Sequence, residues 1–587
     1  MRSGIGGRWA SDALAFAAIA GLYLALTLPT LGSFGVLWDE QTDLNISRSY
    51  LAQPSAWLSG SADDPTQTRL PMYTVAGVFA LSGRADLYVA RLVSCAVSVL
   101  TLLAVFVFAR RRFGRGEALL AATLLATSPL FLAFSRIALT EGDAFVTMAV
   151  AWTVVALARA LDLATVRRTA MSGGAFGLAI SAKFVAIALV PVFVIAPWVV
   201  RATPASGPAR SRARPSLVLG GTCALATAAL VLVWFYWYRP RLPDQALLAL
   251  MAWLIAAFVY ALILLLLIRS RDTTIGPFAQ PLLALTIAGA TFLLIPPVHL
   301  TSPVHASSLL KELGNSSGLD TVLVLQAASL HTMTLLFKPS IAVGSLMWIC
   351  ILLAGWRSRT DSRIRLLLLC IAAYFLFLLK MRLGQTFYTM PIFPWMLVLV
   401  AERLMALWRR YPTAAIAVVA ACLVSVALDL RATYPHYQLN GYQWVGARYI
   451  FGRSTLAYRG VVQVNSDGVE QALEWVNQHV DAGYRVKTFI QPSHIIRAVS
   501  PRPAFDLVDG LRPHTPSVED ADYVVTTLHA DIRPSSPAGL FGGGSVFEYL
   551  YDREALVRSF EPVFRVERPF GLEFATVWRR KTLNADR

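Results

Sequence analysis

Eight side chains suited to acid–base or phosphate chemistry lie in four short stretches, each beside a long apolar run. They are Asp39 and Glu40 in LWDEQTD, Arg136, Glu141 and Asp143 in SRIALTEGD, Lys183 in GLAISAKF, and Arg382 and Tyr388 in RLGQTFY. A carboxylate can take a proton from a hydroxyl or amine as a general base. Cations beside it can hold a phosphate and stabilise the charge that develops as it leaves. The combination predicts a displacement in which a phosphate departs.

The composition indicates which elements must position these groups. Of the 587 residues, 56% are hydrophobic and 15% are charged, and the mean hydropathy is +0.56. A soluble protein averages about 25% charged residues, so an ordinary soluble enzyme is excluded. The net charge of +17 lies mostly before Leu430, where there are 34 basic residues and 18 acids, against 18 and 17 in the remainder. Arginines between apolar spans are typical of membrane topology, and not of nucleic-acid binding.

Thirteen apolar runs are candidates to cross the bilayer core of about 30 Å as helices. They lie near 11–31, 87–109, 117–135, 142–161, 170–182, 184–200, 216–238, 245–268, 276–296, 339–356, 364–379, 389–408 and 412–429. The run 170–200 is divided because a single helix would be about 46 Å long at 1.5 Å per residue and would contain Lys183. A hairpin with Lys183 at its tip also places the flanking arginine clusters in one compartment.

An odd number of spans places the two termini on opposite sides of the membrane. For a multi-pass protein of the inner (plasma) membrane, we expect a cytoplasmic N-terminus and an extracytoplasmic C-terminus. The connections that would then be cytoplasmic carry 22 basic residues, against 12 in the external ones, as the positive-inside rule requires. Two external segments, 32–86 and 297–338, are too long to be turns. The second contains HASSLLKEL and TVLVLQAASL, which suit short amphipathic helices at the membrane surface.

The expected fold class is an α-helical polytopic membrane protein with a small extracytoplasmic α/β domain at its C-terminus. The transmembrane part covers 1–430 and the soluble part 431–587. In the soluble part, VEQALEWVNQHV and FEYLYDREALVRSF have helical patterns, and YRVKTFI, ADYVVTTLH and FATVWRR have strand patterns.

The chemistry-bearing stretches all fall at predicted outer ends of spans, where separate helices can converge on one cavity. Ionisable groups at the membrane edge indicate a functional site. If a lipid phosphate leaves and a sugar is transferred, the transition state resembles an oxocarbenium ion, and one base suffices for a single inverting displacement. The alternative is a transporter or flippase of a lipid-linked sugar. Transporters often show paired repeats, whereas neither DE nor TEGD occurs twice.

The same stretches resemble motifs of the GT-C glycosyltransferases, in particular the protein O-mannosyltransferases and the lipid A aminoarabinose transferase. The similar segments are LWDEQTD, TRLPMY (68–73), SRIALTEGD, GLAISAKF (177–184), KMRLGQTFYTMPIFP (380–394) and YPHYQLNGYQWVGARYI (434–450). The resemblance covers most of the chain in order. It implies a membrane glycosyltransferase that moves a hexose or pentose from a polyprenyl-phosphate-linked donor to a protein, lipid or glycan acceptor at the external membrane face.

The resemblance also implies roles for the acidic residues. Asp39 matches the first-loop acid that relatives use as the catalytic base, with Glu40 beside it as support. Glu141 matches the second acidic position of the catalytic site. Relatives usually have Asp there, so Asp143 is the alternative for that role and is otherwise expected at the donor site.

The basic and aromatic residues correspond to a donor site. Lys183 matches the lysine that in relatives follows a small residue and threonine, here Ser181 and Ala182, and it would contact the polyprenyl phosphate. Arg69 lies close to a basic residue of the relatives' first loop. Arg382 and Tyr388 lie in the motif that lines the donor cavity, and Arg136 is expected beside them.

Most of these residues also have a simpler structural interpretation. Lys183 can extend to the membrane interface, and Tyr388 can belong to an interfacial aromatic belt. Arg136 and Arg382 can be outer-boundary anchors.

A metal site is not predicted. The histidines of the second external segment, at positions 299, 305 and 331, do not have the spacing of a zinc site. Asp63 and Asp64, followed by Pro65, fit a turn. A divalent cation is left open as a cofactor, although a single displacement from a lipid phosphate does not require one.

Overall fold

The structure, a computed structural model, describes twelve segments of the chain. They are 3–53, 69–139, 143–200, 246–269, 274–295, 321–380, 386–440, 468–481, 483–489, 505–507, 518–527 and 553–581. The helices before the C-terminal domain are α1 (Ser3–Thr27), α2 (Trp38–Ala52), α3 (Leu70–Ser82), α4 (Leu87–Arg112), α5 (Arg115–Thr127), α6 (Pro129–Phe134), α7 (Ala144–Leu163), α8 (Val166–Ala182), α9 (Val190–Val199), α10 (Ala246–Arg269), α11 (Ala279–Leu294), α12 (Thr321–Phe337), α13 (Ile341–Arg357), α14 (Ser362–Lys380), α15 (Phe393–Arg410) and α16 (Pro412–Thr433). Short 3-10 turns occupy Leu28–Thr30, Phe184–Leu189, Thr386–Thr389 and Tyr437–Leu439.

Several of these helices have the length and apolar character of membrane spans. Within the described segments five qualify, namely Ala10–Thr30, Leu87–Arg112, Ala144–Leu163, Ser362–Lys380 and Pro412–Thr433. A sixth results if Leu330–Phe337 and Ile341–Arg357 form one broken span, in which the chain bends by 119° between the two helices. The chain is a multi-pass membrane protein. The total of thirteen spans stays a prediction, and the run 216–238 lies outside the described residues.

The hairpin predicted at Lys183 is present. Helix α8 ends at Ala182, Lys183 is extended with φ −161° and ψ 135°, and a 3-10 turn then leads into α9. The carbonyl of Val199, at the far end of α9, accepts a hydrogen bond from Arg365 near the start of α14. Arg363, beside Arg365, donates to the carbonyl of Arg112, and Arg112 pairs with Asp162 just before α8. The start of α8 and the end of α9 therefore lie at the same end of the bundle, and the chain reverses at Lys183.

The run predicted as one span over 117–135 is two helices. Helix α5 ends at Thr127, and α6 begins at Pro129. Proline lacks the amide hydrogen that would continue the helix, and its ring disfavours a helical conformation of the residue before it. Ser128 is accordingly extended, with ψ 125°.

Part of the second external segment also differs from its expected position at the membrane surface. Residues 321–337 form one helix, longer than the predicted amphipathic stretch, and its later residues Leu330, His331, Thr334 and Leu335 are buried. Helix α12 therefore packs into the bundle. HASSLLKEL lies outside the described residues.

Ion pairs join the helix ends at one end of the bundle. They are Asp12 with Arg110 and Arg115, Arg112 with Asp162, Glu117 with Arg409, and Glu402 with Arg357 and Arg403. The participants lie at the start of α1 and α5 and the end of α4, α7, α13 and α15. We call this the arginine end.

The C-terminal domain is a mixed sheet with helices, as the sequence pattern predicts. Its strands are β1 (Val486–Phe489), β2 (Phe505–Leu507), β3 (Tyr523–Thr527), β4 (Phe560–Arg568) and β5 (Leu572–Arg580), and its helices are α17 (Val469–His479) and α18 (Arg553–Ser559). The order is β2-β1-β3-β5-β4, with β1 parallel to β2 and β3, and β5 antiparallel to β3 and β4. Strands β2 and β4 are not foreseen from the sequence. GLFGGGS lies outside the described residues.

Glycines allow the close packing of α8 on α11. A Cβ atom added at Gly173 would collide with the backbone carbonyl of Ala284, whereas one added at neighbouring Gly174 would meet no atom within 4 Å. Small residues at such contacts let membrane helices approach each other closely. The two glycines therefore form a matched pair for testing this packing.

We expect Gly173→Ala to lower the thermal unfolding temperature of the purified protein in detergent. The added methyl group overpacks the contact, which costs about 1–3 kcal/mol. Gly174→Ala should leave the temperature unchanged or raise it, because alanine is favoured over glycine in a helix by about 0.5–1 kcal/mol. Equal transition temperatures for the two variants would contradict the described packing.

Candidate active site

The predicted site stretches meet at the end of the bundle opposite the arginine end. This end contains the C-terminus of α1, the N-termini of α2, α4 and α7, the hairpin tip at Lys183, and the turn after α14. Hydrogen bonds and ring contacts connect these elements, as described below. The convergence of separate segments is observed for Glu40, Arg91, Asp143, Lys183 and Tyr388, whereas a shared cavity for Asp39, Glu141 and Lys183 stays a prediction.

Glu40 is the centre of this end. Its carboxylate forms a buried ion pair with Arg91, with a shortest distance of 2.7 Å, and neither side chain is more than 3% exposed. The same carboxylate accepts the backbone amides of Leu37 at 3.1 Å and Ala138 at 2.7 Å. Glu40 thus ties three segments together: its own helix, the start of α4, and the turn before α7.

Asp39 lies in the first turn of α2. Its backbone is helical, and its side chain is not among those that the structure describes. Leu37 is the residue before the helix, and its backbone amide donates to the carboxylate of Glu40, the third helical residue. The N-terminus of a helix favours a negative charge. The neighbouring contacts of Glu40 therefore place Asp39 at the converging end.

The turn between α6 and α7 has a constrained backbone. Leu139 and Asp143 both have positive φ angles, of 60° and 57°, in the left-handed region that L-residues seldom adopt. Such conformations persist where the surrounding structure imposes them and are common at functional sites. Glu141 lies between these residues, outside the described segments.

Asp143 and Lys183 form an ion pair. The distance from Lys183 Nζ to Asp143 Oδ1 is 2.5 Å, with the carboxylate fully buried and the lysine side chain 18% exposed. The ammonium group also lies 4.7 Å from the ring centroids of both Phe387 and Tyr388, within the range of cation–π attraction. The pair holds the ammonium group in place while leaving part of the side chain accessible.

Arg136, predicted at the donor site, is fully buried. Its guanidinium donates to the carbonyl of Thr30 at 3.1 Å and to the side-chain oxygen of Gln438 at 3.0 Å. It also lies over the rings of Phe34 and Tyr437. These contacts connect the end of α1 to the segment after α16, so the arginine holds two parts of the converging end together. A direct contact of Arg136 with the donor stays a prediction.

Arg69 is also fully buried, at the start of α3. It lies within electrostatic range of Tyr50 on α2, whose ring stacks on Tyr73 with centroids 4.6 Å apart. Burial raises the pKa of the Tyr50 phenol, and the Arg69 charge acts in the opposite direction. Asp43, one turn after Asp39, is buried near the same tyrosine. The stacked rings of Tyr50 and Tyr73 join α2 to α3, with Arg69 buried at the start of α3, and a contact of Arg69 with the donor stays a prediction.

Three contributors to this end are missed by the sequence interpretation. Arg91 has a recognisable signal, since it is an arginine near the start of an otherwise apolar span. Asp43 also has one, because it follows Asp39 at helical spacing in DEQTD. Phe387 has none, since a phenylalanine between Thr386 and Tyr388 is indistinguishable from a core residue.

The remaining site predictions fall partly outside the described residues. Arg382 lies there, as do Asp63, Asp64, His299 and His305. Over the segments that the structure covers, no three His, Cys, Asp or Glu side chains group closely enough to hold a metal ion.

Residues 67–237 match the family described as dolichyl-phosphate-mannose-protein mannosyltransferase. The predicted resemblance to the protein mannosyltransferases is confirmed over these residues. The match covers less than a third of the chain and includes TRLPMY, SRIALTEGD and GLAISAKF, whereas LWDEQTD and the stretch around Tyr388 lie outside it. No curated protein matches the chain.

Solved structures that align with this chain at low identity include three glycan-modifying or related enzymes, by the names given below. The oligosaccharyltransferase AglB from Archaeoglobus fulgidus, in complex with an inhibitory peptide and a dolichol-phosphate, is 15% identical and aligns over 95% of this chain and 80% of its own, with a TM-score of 0.46. ArnT from Cupriavidus metallidurans, bound to undecaprenyl phosphate, is 13% identical over 96% and 97%, with a TM-score of 0.33. The arabinofuranosyltransferase AftD from Mycobacteria is 13% identical over 98% and 40%, with a TM-score of 0.32.

Breaking the buried Glu40–Arg91 pair should strongly destabilise the protein. Arg91→Met leaves a carboxylate buried without its guanidinium partner, a change that typically costs about 3–5 kcal/mol. The control is Arg84→Met, which removes an ion pair with Asp86. In this pair the arginine side chain is 64% exposed and the aspartate side chain 39%. Exposed pairs contribute about 0–1 kcal/mol.

Thermal unfolding of both variants in the same detergent measures the difference. A smaller loss in the double variant Glu40→Gln/Arg91→Met than the sum of the single losses would show direct coupling. If Arg91→Met unfolds at the same temperature as Arg84→Met, Glu40 and Arg91 do not form the described pair.

Proposed function

We propose that the chain is an integral membrane glycosyltransferase that moves a sugar from a polyprenyl-phosphate-linked donor to an acceptor at the extracytoplasmic face. The observation that carries the proposal is the meeting of the Asp143–Lys183 pair, the Glu40 contacts and the start of the Asp39 helix at one end of the bundle. The family match supports it, because that family uses a lipid-phosphate-linked mannose according to its description.

The distribution of charge supports the proposed orientation. Arginines cluster at the end opposite the site, and the positive-inside rule places such clusters in the cytoplasm. The site end, the long segment 32–86 and the C-terminal domain are then extracytoplasmic.

In the proposed reaction, Lys183 binds the phosphate of the donor. Its Nζ carries three hydrogen-bond donors, and the pair with Asp143 holds the ammonium group at the converging end. Tyr388 lies beside the ammonium group, and Arg69 and Arg382 are the further residues that we propose contact the donor. The lipid tail would lie against the apolar spans.

Asp39 is the proposed general base, and Glu40 keeps its helix in place. Asp39 takes the proton from the acceptor hydroxyl or amine, whose oxygen or nitrogen forms the new bond to the anomeric carbon. The bond from that carbon to the phosphate oxygen breaks, and polyprenyl phosphate leaves with the electron pair. A single displacement of this kind inverts the anomeric configuration.

We assign the second acidic role to Glu141 and a positioning role to Asp143. Asp143 is fully buried and paired with Lys183, so it fixes the cation. Glu141 is two residues away in the turn whose backbone Glu40 holds through Ala138.

Asp39→Asn should abolish sugar transfer while leaving the protein folded and inserted. Loss of a general base lowers kcat by about 10²- to 10⁴-fold. Asp162→Asn, which removes an acid at the arginine end, is the control and should retain activity. The readout is single-turnover transfer from a synthetic polyprenyl-phosphate sugar to candidate acceptors, followed by mass spectrometry.

Full transfer activity of Asp39→Asn would show that the catalytic assignment is wrong. Movement of the lipid-linked sugar across vesicles containing the wild-type protein without any acceptor, together with no transfer product, would support a flippase instead.

Lys183 is tested by binding of polyprenyl phosphate to the double variant Lys183→Met/Asp143→Asn, which removes both charges of the pair. We expect affinity to fall about 10- to 100-fold, since a hydrogen bond to a charged group contributes about 1.5–3 kcal/mol. Arg359→Met, which removes an exposed cation at the arginine end, is the control and should bind normally. Unchanged affinity of the double variant, measured by microscale thermophoresis, would remove Lys183 from the donor site.

A further inference from the structure

The segment that leads into the Asp39 helix is held by charged side chains from separate parts of the chain. The guanidinium group of Arg91 donates to the backbone carbonyls of Leu31 at 2.6 Å, Phe34 at 3.1 Å and Gly35 at 2.8 Å. Arg91 also lies 3.8 Å from the ring centroid of Phe34. The carbonyls of this segment are thus bound from within the membrane domain.

The next two amides of the segment are bound by carboxylates. Leu37 donates to Glu40, and Val36 donates to Oε1 of Glu470 at 3.2 Å. Val36 is 8% exposed, and backbone amides buried to this extent are nearly always hydrogen-bonded. Glu470 belongs to the C-terminal domain, 434 residues further along the chain. The C-terminal domain therefore directly contacts the segment that leads into the Asp39 helix.

The position of Glu470 is fixed by the packing of its domain. It lies in the first turn of α17, which starts after Gly468. Gly468 has a φ of +88°, and an added Cβ atom there would approach Phe574 Cβ at 3.1 Å and Val566 Cγ1 at 3.3 Å. The start of the helix is thus held close to strands β4 and β5. Buried Leu473, on the same helix, continues this contact into the domain core.

We propose that Glu470 is a positioning residue for the transfer reaction and that the C-terminal domain acts through it to hold the Asp39 loop. This inference rests on the proposed function, because it assigns Glu470 to the same site. Val36 precedes Asp39 by three residues, so a shift of the segment moves the start of α2. Small displacements of a catalytic group reduce rates strongly, because reactivity depends on alignment with the reacting atoms.

The proposal is tested first without reference to activity, by amide hydrogen exchange of the full chain in nanodiscs. Glu470→Ala removes the acceptor of the Val36 amide. The exchange of this amide should become about two- to tenfold faster, the range that corresponds to the net contribution of one ordinary hydrogen bond. Glu470→Gln keeps an acceptor oxygen at the same position and should restore most of the protection, although a neutral acceptor is weaker.

Glu474→Ala is the matched control. Glu474 lies one turn further along α17, is exposed, and its side chain accepts a hydrogen bond from Gln478 at 3.2 Å. It should leave both exchange at Val36 and sugar transfer unchanged.

Transfer kinetics then test the positioning role. Glu470→Ala should lower kcat about tenfold with little change in the donor KM, because the segment before the Asp39 helix moves and misaligns the base while the Lys183 region does not move. Glu470→Gln should recover most of the rate. A loss of activity with unchanged thermal unfolding separates this effect from general destabilisation.

Unchanged exchange at Val36 in Glu470→Ala would overturn the contact. Faster exchange with an unaltered kcat would overturn the positioning role. Neither result depends on whether Asp39 is the base: if Asp39→Asn retained activity, the proposed function would fail while the exchange measurement would still decide the Glu470 contact.

Discussion

The buried pair of Glu40 and Arg91 is the constraint on which the rest of the site depends. A charge buried without a partner is costly in a protein interior, so each of these residues requires the other. Their remaining hydrogen bonds extend to the backbone of the loop before α2 and to Ala138 before α7. Two segments that would otherwise be independent loops are thereby fixed relative to α4. Asp39 is the residue directly before Glu40, so the Glu40–Arg91 pair also fixes the position of the Asp39 backbone.

The ion pairs at the two ends of the bundle differ in the exposure of their basic residues. At the arginine end, ion pairs such as Asp12 with Arg110 join neighbouring helices and include exposed arginines. At the site end, Arg69, Arg91 and Arg136 are buried, and Lys183 remains partly accessible. A lipid-linked phosphate entering from the membrane would therefore meet a held ammonium group, which explains why the site is built from the ends of membrane helices.

The sequence predicts this organisation well where a single local rule decides the structure. Lys183 interrupts an apolar run, and the hairpin follows from the cost of burying it; the α/β pattern of the C-terminal domain is visible in its hydrophobic periodicity. Prediction fails where distant partners decide. The burial of α12 depends on neighbouring helices, and the contact of Glu470 with Val36 has no local signature. Arg136 is a basic residue in a predicted site stretch, so the sequence favours a donor-binding role. Its positioning contacts depend on Thr30 and Gln438, which are distant in the sequence.

Two kinds of carboxylate emerge at the site. Glu40 and Asp143 are buried against basic partners and organise the structure, whereas Asp39 and Glu141 are the proposed reacting groups. The most direct test is an electron cryo-microscopy map of the full chain with polyprenyl phosphate bound. The account predicts the phosphate within about 3 Å of Lys183 Nζ, a hydrogen-bond distance, with the Asp39 carboxylate facing the same cavity. A phosphate bound at the arginine end, or packed helices between Asp39 and Lys183, would contradict it.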